Sequence, residues 1–285
     1  MIKDVRMLSV RKACLRTIPC ISMIMISFFP HILNAFTIDS LNDSQLETLD
    51  SLSAHYRIDY CCNSTISECF NQKQECTIAK HLYDFTGWLI SVETEPGKIK
   101  EQIDKRYKGF TTTEKKVIDT TSLQLAGNPK APVTIVAYIS STCNLCKHIV
   151  SLLYESVNTG TLKGRAKLMA KPFGTGIGDI AFFVANDDGK FWELLMKMKD
   201  VKTRYKENDI IQMLENIGID SNRSIKLLKN KKFKELLTTS KTEGVKNGVK
   251  VTPTFFINHK RYSSYKDPQW VIDAALYEYE KTLKD

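Results

Sequence analysis

Three rhythms of apolar and polar positions divide this chain. From Ile18 to Leu33 the residues are almost continuously apolar. From about Thr65 to Tyr107, and again from about Gly178 to the C-terminus, apolar residues recur every three or four positions, the period of an amphipathic helix. Between those stretches, "KVIDTT" (116–121) and "PVTIVAYIS" (132–140) are rich in β-branched residues, the composition of strands, with the turn "AGNPKAP" between them.

The pattern predicts the following elements. Residues 36–54 read as a polar lead. Thr65 followed by Glu68 is the signature of a capping box opening a short helix. A second helix is predicted over Thr77–Val92, with Ile78, Leu82, Phe85 and Leu89 forming one stripe, and Glu95-Pro96-Gly97 breaks it. A third runs over Lys98–Tyr107 and stops near Gly109, so residues 55–110 form a small helical module. Residues 111–126 read as a polar linker and first strand. From 127 to 285 the order is strand, helix (from Cys143), strand ("RAKLMAKPF"), a helical block within about 175–247, a strand pair ("VKVTPTFFIN" and "KRYSS") and a last helix over 268–283. Predicted helices in the block span 178–187, 190–199, 208–217, 222–229 and 231–246. This alternation predicts an α/β domain. No internal repeat interrupts it.

Charge changes the reading of the N-terminus. Lys3, Arg6, Arg11, Lys12 and Arg16 precede the apolar run, which ends at Leu33-Asn34-Ala35. A basic lead, a short apolar stretch and a small residue are the layout of a secretory signal over residues 1–35. The run is interrupted by Pro19, Pro30 and His31, short of the ~20 apolar residues a spanning helix needs. An uncleaved signal acting as an anchor is the alternative, and Cys14 and Cys20 lack the flanking residues of a lipidation site. Removal of residues 1–35, with five basic residues and one acid, lowers the formal charge from +9 to +5. Lys and Glu are interspersed through the rest, which describes a solvated surface and excludes a nucleic-acid-binding face. Six cysteines then remain: 61, 62, 69, 76, 143 and 146. An even count in an exported chain suits an oxidising compartment such as the periplasm, where disulfides persist.

The candidate chemistry lies in "ISSTCNLCKHIV" (139–150), where Cys143 and Cys146 sit at a strand-to-helix junction. A helix start concentrates unpaired N–H donors and positive potential, which favour a thiolate over a thiol. Cys146, almost a turn deeper, is placed to resolve a mixed disulfide formed at Cys143. Lys147 is one turn beyond Cys143 and would favour the anion further, whereas His148 reads as a solvated surface residue. A CxxC also serves as half a zinc site or an inert bridge. Zinc needs a second Cys/His pair nearby, and the C-terminal region offers only His148 and His259. A structural bridge across two residues at a helix start is unusual, so the redox reading is preferred. Pro253, within a segment of strand composition, cannot donate to a ladder and belongs at an edge or irregularity.

Taken together, "GNPKAPVTIVAYISSTCNLC", "GKFWELLMKM", "NIGID" and "GVKVTPTFFINHKRY" resemble, in order and spacing, the DsbA-like branch of the thioredoxin superfamily, over about residues 116–285. The resemblance implies a thioredoxin fold with a helical insertion and a protein thiol–disulfide oxidoreductase that needs no organic cofactor or metal. It implies Cys143 as nucleophile, Cys146 as resolving residue, Pro253 in a cis loop, and Thr252 facing the CxxC. Partners would be protein or peptide thiols and disulfides, plus a redox partner that resets the pair. Two departures stand out. Asn144-Leu145 replaces the Pro-His of strongly oxidising members, and Ala137 stands where relatives place a buried carboxylate. The first predicts a less stabilised thiolate, which makes a weaker oxidant, and the second removes the proton relay that the resemblance implies, so the direction of electron flow is open.

Cys61, Cys62, Cys69 and Cys76 read as two structural disulfides stapling the helical module. Bridging adjacent Cys61 and Cys62 is strained, which leaves 61–69 with 62–76, or 61–76 with 62–69. A metal site adding His81 and a second redox relay pair are the alternatives. The segment "CNSTI…AKHLYDFTGWLI…KIKEQIDKRYKGF" is similar, over residues 57–110, to the three-helix module of CcmH-type cytochrome c maturation proteins, without that family's CxxC. Two other functions compete with the oxidoreductase: a metal- or haem-handling chaperone on a thioredoxin scaffold, and a disulfide isomerase that forms a homodimer through residues 37–110.

Overall fold

The second strand, β2 (Val133–Ile139), organises the molecule because both of its faces are buried. In the computed structural model, which describes residues 36–59, 62–72, 76–110, 113–200, 204–263 and 267–283, β2 lies at the centre of a five-stranded sheet. Its companions are β1 (Ala126–Gly127), β3 (Ala166–Pro172), β4 (Thr254–Ile257) and β5 (Lys260–Tyr262), in the order β1-β3-β2-β4-β5. β2 and β3 run parallel, and every other pairing is antiparallel. A parallel pair needs a crossover, and α5 (Asn144–Asn158) supplies it. On one side of the sheet α5 packs against α11 (Pro268–Lys281).

On the other side lie α6 (Ile177–Asp187) and α10 (Lys231–Lys246), with α7 (Phe191–Met198), α8 (Glu207–Asn216) and α9 (Ser221–Lys229) completing the insertion. The core on this side gathers Val136, Tyr138, Met169, Val249 and Phe256. Its polar centre is Glu243 of α10. That carboxylate accepts from Tyr138 Oη at 2.5 Å and pairs with Lys171 Nζ at 2.7 Å, while the same Nζ donates to the Asp119 carbonyl at 2.6 Å. Buried charges persist only when paired and hydrogen-bonded, and this set satisfies both conditions. It ties the insertion to the sheet. The α/β fold with a helical insertion is thus present, and the five inserted helices fall within two residues of their predicted bounds.

Two expectations fail. Residues 36–54 are no polar lead: α1 (Asp43–His55) opens there on a capping box between Asn42 and Gln45, and buries Leu49. The same asparagine–glutamine spacing was present in the sequence, but the helix is so polar that its narrow apolar edge gave little signal. Residues 116–121 are not a strand. Ile118 enters the core, and the backbone is held by irregular bonds, from Lys116 N to the His259 carbonyl and from Asn247 Nδ2 to the Val117 carbonyl. The edge strand forms instead at Ala126–Gly127, inside the segment predicted as a turn.

The remaining N-terminal helices are α2 (Ile66–Phe70), α3 (Thr77–Ser91) and α4 (Pro96–Tyr107). The predicted capping box of Thr65 and Glu68 opens α2, and Ile78, Leu82, Phe85 and Leu89 are all buried along α3. This module is sewn to the sheet domain within one compact unit, Thr37–Asp285. Arg106 of α4 is buried and pairs with Asp273 of α11 at 3.0 Å. Its guanidinium lies over the Phe85 and Trp270 rings, at 4.8 and 5.6 Å from their centroids. His81 of α3 reaches the same aspartate at 2.8 Å. Tyr262 of β5 donates to the Arg106 carbonyl at 3.0 Å.

Candidate active site

The site grows from the end of β2. After Ile139 the chain turns through Ser140, Ser141 and Thr142, and the Cys143 amide donates to the Ser140 carbonyl at 3.0 Å. Cys143 is the N-cap of α5, with extended backbone, and its sulfur accepts from the Cys146 amide at 3.1 Å. Cysteine here does the work normally given to serine or aspartate at a cap. Cys143 and Cys146 form a disulfide with a Cα–Cα distance of 5.2 Å, inside the ordinary range. Cys143 is half-buried, while Cys146 is 1% exposed. An incoming group can reach only the first sulfur.

The opposite wall comes from the start of β4. Antiparallel pairing sets Thr254 against Tyr138, one residue before β2 ends. The preceding Thr252–Pro253 peptide is therefore carried up to the CxxC. That bond is cis, Pro253 is buried, and the Thr252 carbonyl oxygen lies 3.4 Å from Cys143 Sγ. Leu145 (40% exposed) and Val251 (50% exposed) add exposed apolar surface, the first inside the CxxC and the second next to Thr252. Two pairs far apart in sequence, Cys143 with Cys146 and Thr252 with Pro253, are thus brought together.

Other sequence candidates distribute differently. Lys147 is buried, and its ammonium donates to Tyr205 Oη at 3.1 Å. Burial pushes the Lys147 ammonium below the ordinary lysine value and the Tyr205 hydroxyl up to about 12. Its charge is therefore committed to the insertion as well as available to α5. His148 is exposed. Ala137 is fully buried in the sheet.

Sequence reasoning missed Asp179. This fully buried carboxylate lies in the first turn of α6, where Oδ1 accepts from the Ser141 amide at 2.8 Å and Oδ2 from the Gly176 amide at 3.0 Å. Burial pushes its carboxyl up, and the two amide donors oppose the shift. The available signal was "GTGIGD" (174–179), three alternating glycines leading into an acid. Only the folded chain shows what they approach.

A family model described as thioredoxin matches residues 119–274. The chain belongs to the thioredoxin family. Among solved structures it is similar to BdbD from Bacillus subtilis in its oxidised form, at 18% identity and a TM-score of 0.51, over 58% of this chain and 97% of that one. It is also similar to a thioredoxin-like oxidoreductase from Silicibacter pomeroyi, at 17% identity and a TM-score of 0.50, over 56% of this chain and 94% of that one. These likenesses establish the DsbA-like form of the fold. The curated proteins contain no match to this chain.

In the N-terminal module Cys62 and Cys69 form a disulfide with a Cα–Cα distance of 5.5 Å. That pairing excludes the 61–69 with 62–76 connectivity. Cys76 is also in disulfide form, and Cys61 lies outside the described residues. His81 turns to Asp273 and not to the cysteines, so the metal alternative built on it loses its fifth member. Among the described residues no three His, Cys, Asp or Glu side chains are grouped to hold a metal ion. No helix among them is long and apolar enough to cross a membrane, and the predicted signal at residues 1–35 lies outside them.

Proposed function

We propose that this protein is an exported thiol–disulfide oxidoreductase acting on the cysteines of other proteins through Cys143 and Cys146. The observation that carries the reading is a reachable sulfur at a helix N-terminus, bonded to a buried one and facing the Thr252–Pro253 loop. In the reducing direction, the Cys143 thiolate attacks a substrate disulfide. A Cys143–substrate disulfide forms, and the other substrate sulfur leaves as a thiolate. Cys146 then attacks Cys143 Sγ, expelling the second substrate thiolate and closing the Cys143–Cys146 bond. Two electrons pass to the substrate. In the oxidising direction the same steps run backwards from the closed pair: a substrate thiolate attacks Cys143, Cys146 leaves, and a second substrate thiolate resolves the bond.

The backbone supplies the electrostatics. The Cys146 amide, already directed at Cys143 Sγ, stabilises the charge that develops there on bond opening. The Thr252 carbonyl and the exposed Leu145 and Val251 offer an extended substrate segment one backbone partner and an apolar surface. A further redox partner must reset the pair after each turnover.

Two measurements test this. Cys146→Ala, expressed in the export compartment, should accumulate mixed disulfides through Cys143 on non-reducing gels, and their absence would overturn the reading. Equilibration with glutathione sets the direction: about −120 mV marks an oxidant and about −270 mV a reductant. A homodimer through residues 37–110, which the isomerase alternative needs, is tested by light scattering.

A further inference from the structure

The β2–α5 turn is not held by its own strand and helix alone. The loop between β3 and α6 comes up against it so closely that side chains are excluded there. A methyl group at Gly174 would overlap both the Asp179 carboxylate and Ser140 Oγ, and one at Gly178 would sit 2.7 Å from Ser141 Cβ and 3.3 Å from Tyr205. Gly174 and Gly178, the first and last glycines of "GTGIGD", therefore let the two segments lie on each other, while a methyl at Gly176 would make only ordinary contacts. At the centre of the contact Asp179 holds one backbone amide from each loop, Ser141 and Gly176.

Ser141 is two residues from the reactive sulfur. The Cys143 amide bonds the Ser140 carbonyl, and Ser140 Oγ lies 3.2 Å from Thr142 Oγ1, so residues 140–143 are one tight turn with Ser141 as its outside anchor. The turn decides where Cys143 Sγ stands relative to the Cys146 amide and the Thr252 carbonyl. Those contacts, at 3.1 and 3.4 Å, tolerate little displacement.

We propose that Asp179 is a positioning residue for the Cys143 nucleophile, fixing the Ser140–Cys143 turn from the inserted helical block through the Ser141 amide. The assignment rests on the thiol–disulfide reading above. It means that the insertion does more than border the site: its first helix carries the clamp. Asp179 acts through the turn it holds, by the Ser141 amide and the neighbouring Ser140 and Ser141 hydroxyls, and touches no substrate.

The test is the pH dependence of Cys143 alkylation by iodoacetamide in the reduced full chain, read at that residue by peptide mass spectrometry. Asp179→Ala frees the Ser141 amide, and the midpoint should rise by about 1 pH unit towards the ~8.5 of a free cysteine. Asp179→Asn keeps an oxygen for that amide, and the shift should be less than half as large. Gly178→Ala pushes against the Ser141 side chain with the carboxylate intact and should also raise the midpoint. If Asp179→Ala fails to fold, the other two variants decide. Midpoints equal to wild type in all the variants that fold, with only urea stability reduced, overturn the proposal. So does a fall of the midpoint in both Asp179 variants, which would mean simple charge repulsion. Failure of wild-type Cys143 to exchange with glutathione would instead overturn the functional reading, and the alkylation midpoints would still decide the role of Asp179.

Discussion

Cys76 and Cys143 occupy the same local position in two regions of the molecule. Each is the N-cap of a fifteen-residue helix, each has φ −87°, with ψ of 95° and 102°, and each sulfur accepts from the amide three residues on. Each is in disulfide form. By local electrostatics both favour a thiolate. Their surroundings separate them. Cys76 is 4% exposed beneath the helical module, while Cys143 is half-buried and faces the Thr252–Pro253 loop. A helix start makes a sulfur acidic. Access and an opposing backbone edge make it useful.

Five experiments break or sharpen that contrast. The largest effect is expected for Cys143→Ser, which should cut disulfide exchange by on the order of a thousandfold or more, as removal of a nucleophile does. The same change at Cys76 should leave the exchange rate within about twofold, because no incoming sulfur reaches it. Insulin reduction or refolding of a scrambled protein measures both.

Next comes the joint between the regions. Asp273→Ala strands the buried Arg106 guanidinium and should cost about 3–5 kcal/mol of stability, seen as a lower urea midpoint. Exchange by the molecules that remain folded should persist. A comparable loss of exchange would show that the module shapes the site.

Replacing Cys62 and Cys69 together by Ala removes a short-loop disulfide and should lower stability by about 2–3 kcal/mol. In a graded reductant titration of the wild type, Cys143–Cys146 should open before Cys62–Cys69, because the Cys143 thiolate released on opening is stabilised at the start of α5 by the Cys146 amide, whereas neither Cys62 nor Cys69 caps a helix start. The opposite order, read by differential alkylation, would move the redox site into the helical module. The smallest effect is expected for Lys147→Met. It should raise the Cys143 alkylation midpoint by less than about 1 pH unit, since the ammonium is already engaged by Tyr205.

Much of this was legible in the residues. Each inserted helix announces itself by an apolar period and a stop, as at Lys231–Lys246, and the CxxC lies at the junction its flanking composition indicated. The misreadings have one cause. In Ile118 and in Ala126–Gly127, burial and pairing are decided by neighbours distant in the chain, so β-branched composition in 116–121 produced an extended segment without a ladder. The polar helix α1 was missed because its single buried edge is supplied by α3. Asp179 was invisible for a related reason: an acid after glycines has no meaning until the loop it clamps is known.

By itself the sequence determined the local chemistry, namely which sulfur stands first at a helix start, which follows it, and where a proline interrupts a strand, because those depend on neighbours within a turn. Only the tertiary structure decided which cysteine is reachable, which pairing the N-terminal cysteines adopt, and that Thr252 and Asp179 close on the turn bearing Cys143. Those outcomes depend on excluded volume and on contacts such as Ser141–Asp179 and Cys143–Thr252, between residues 38 and 109 positions apart, and no local pattern encodes such distances.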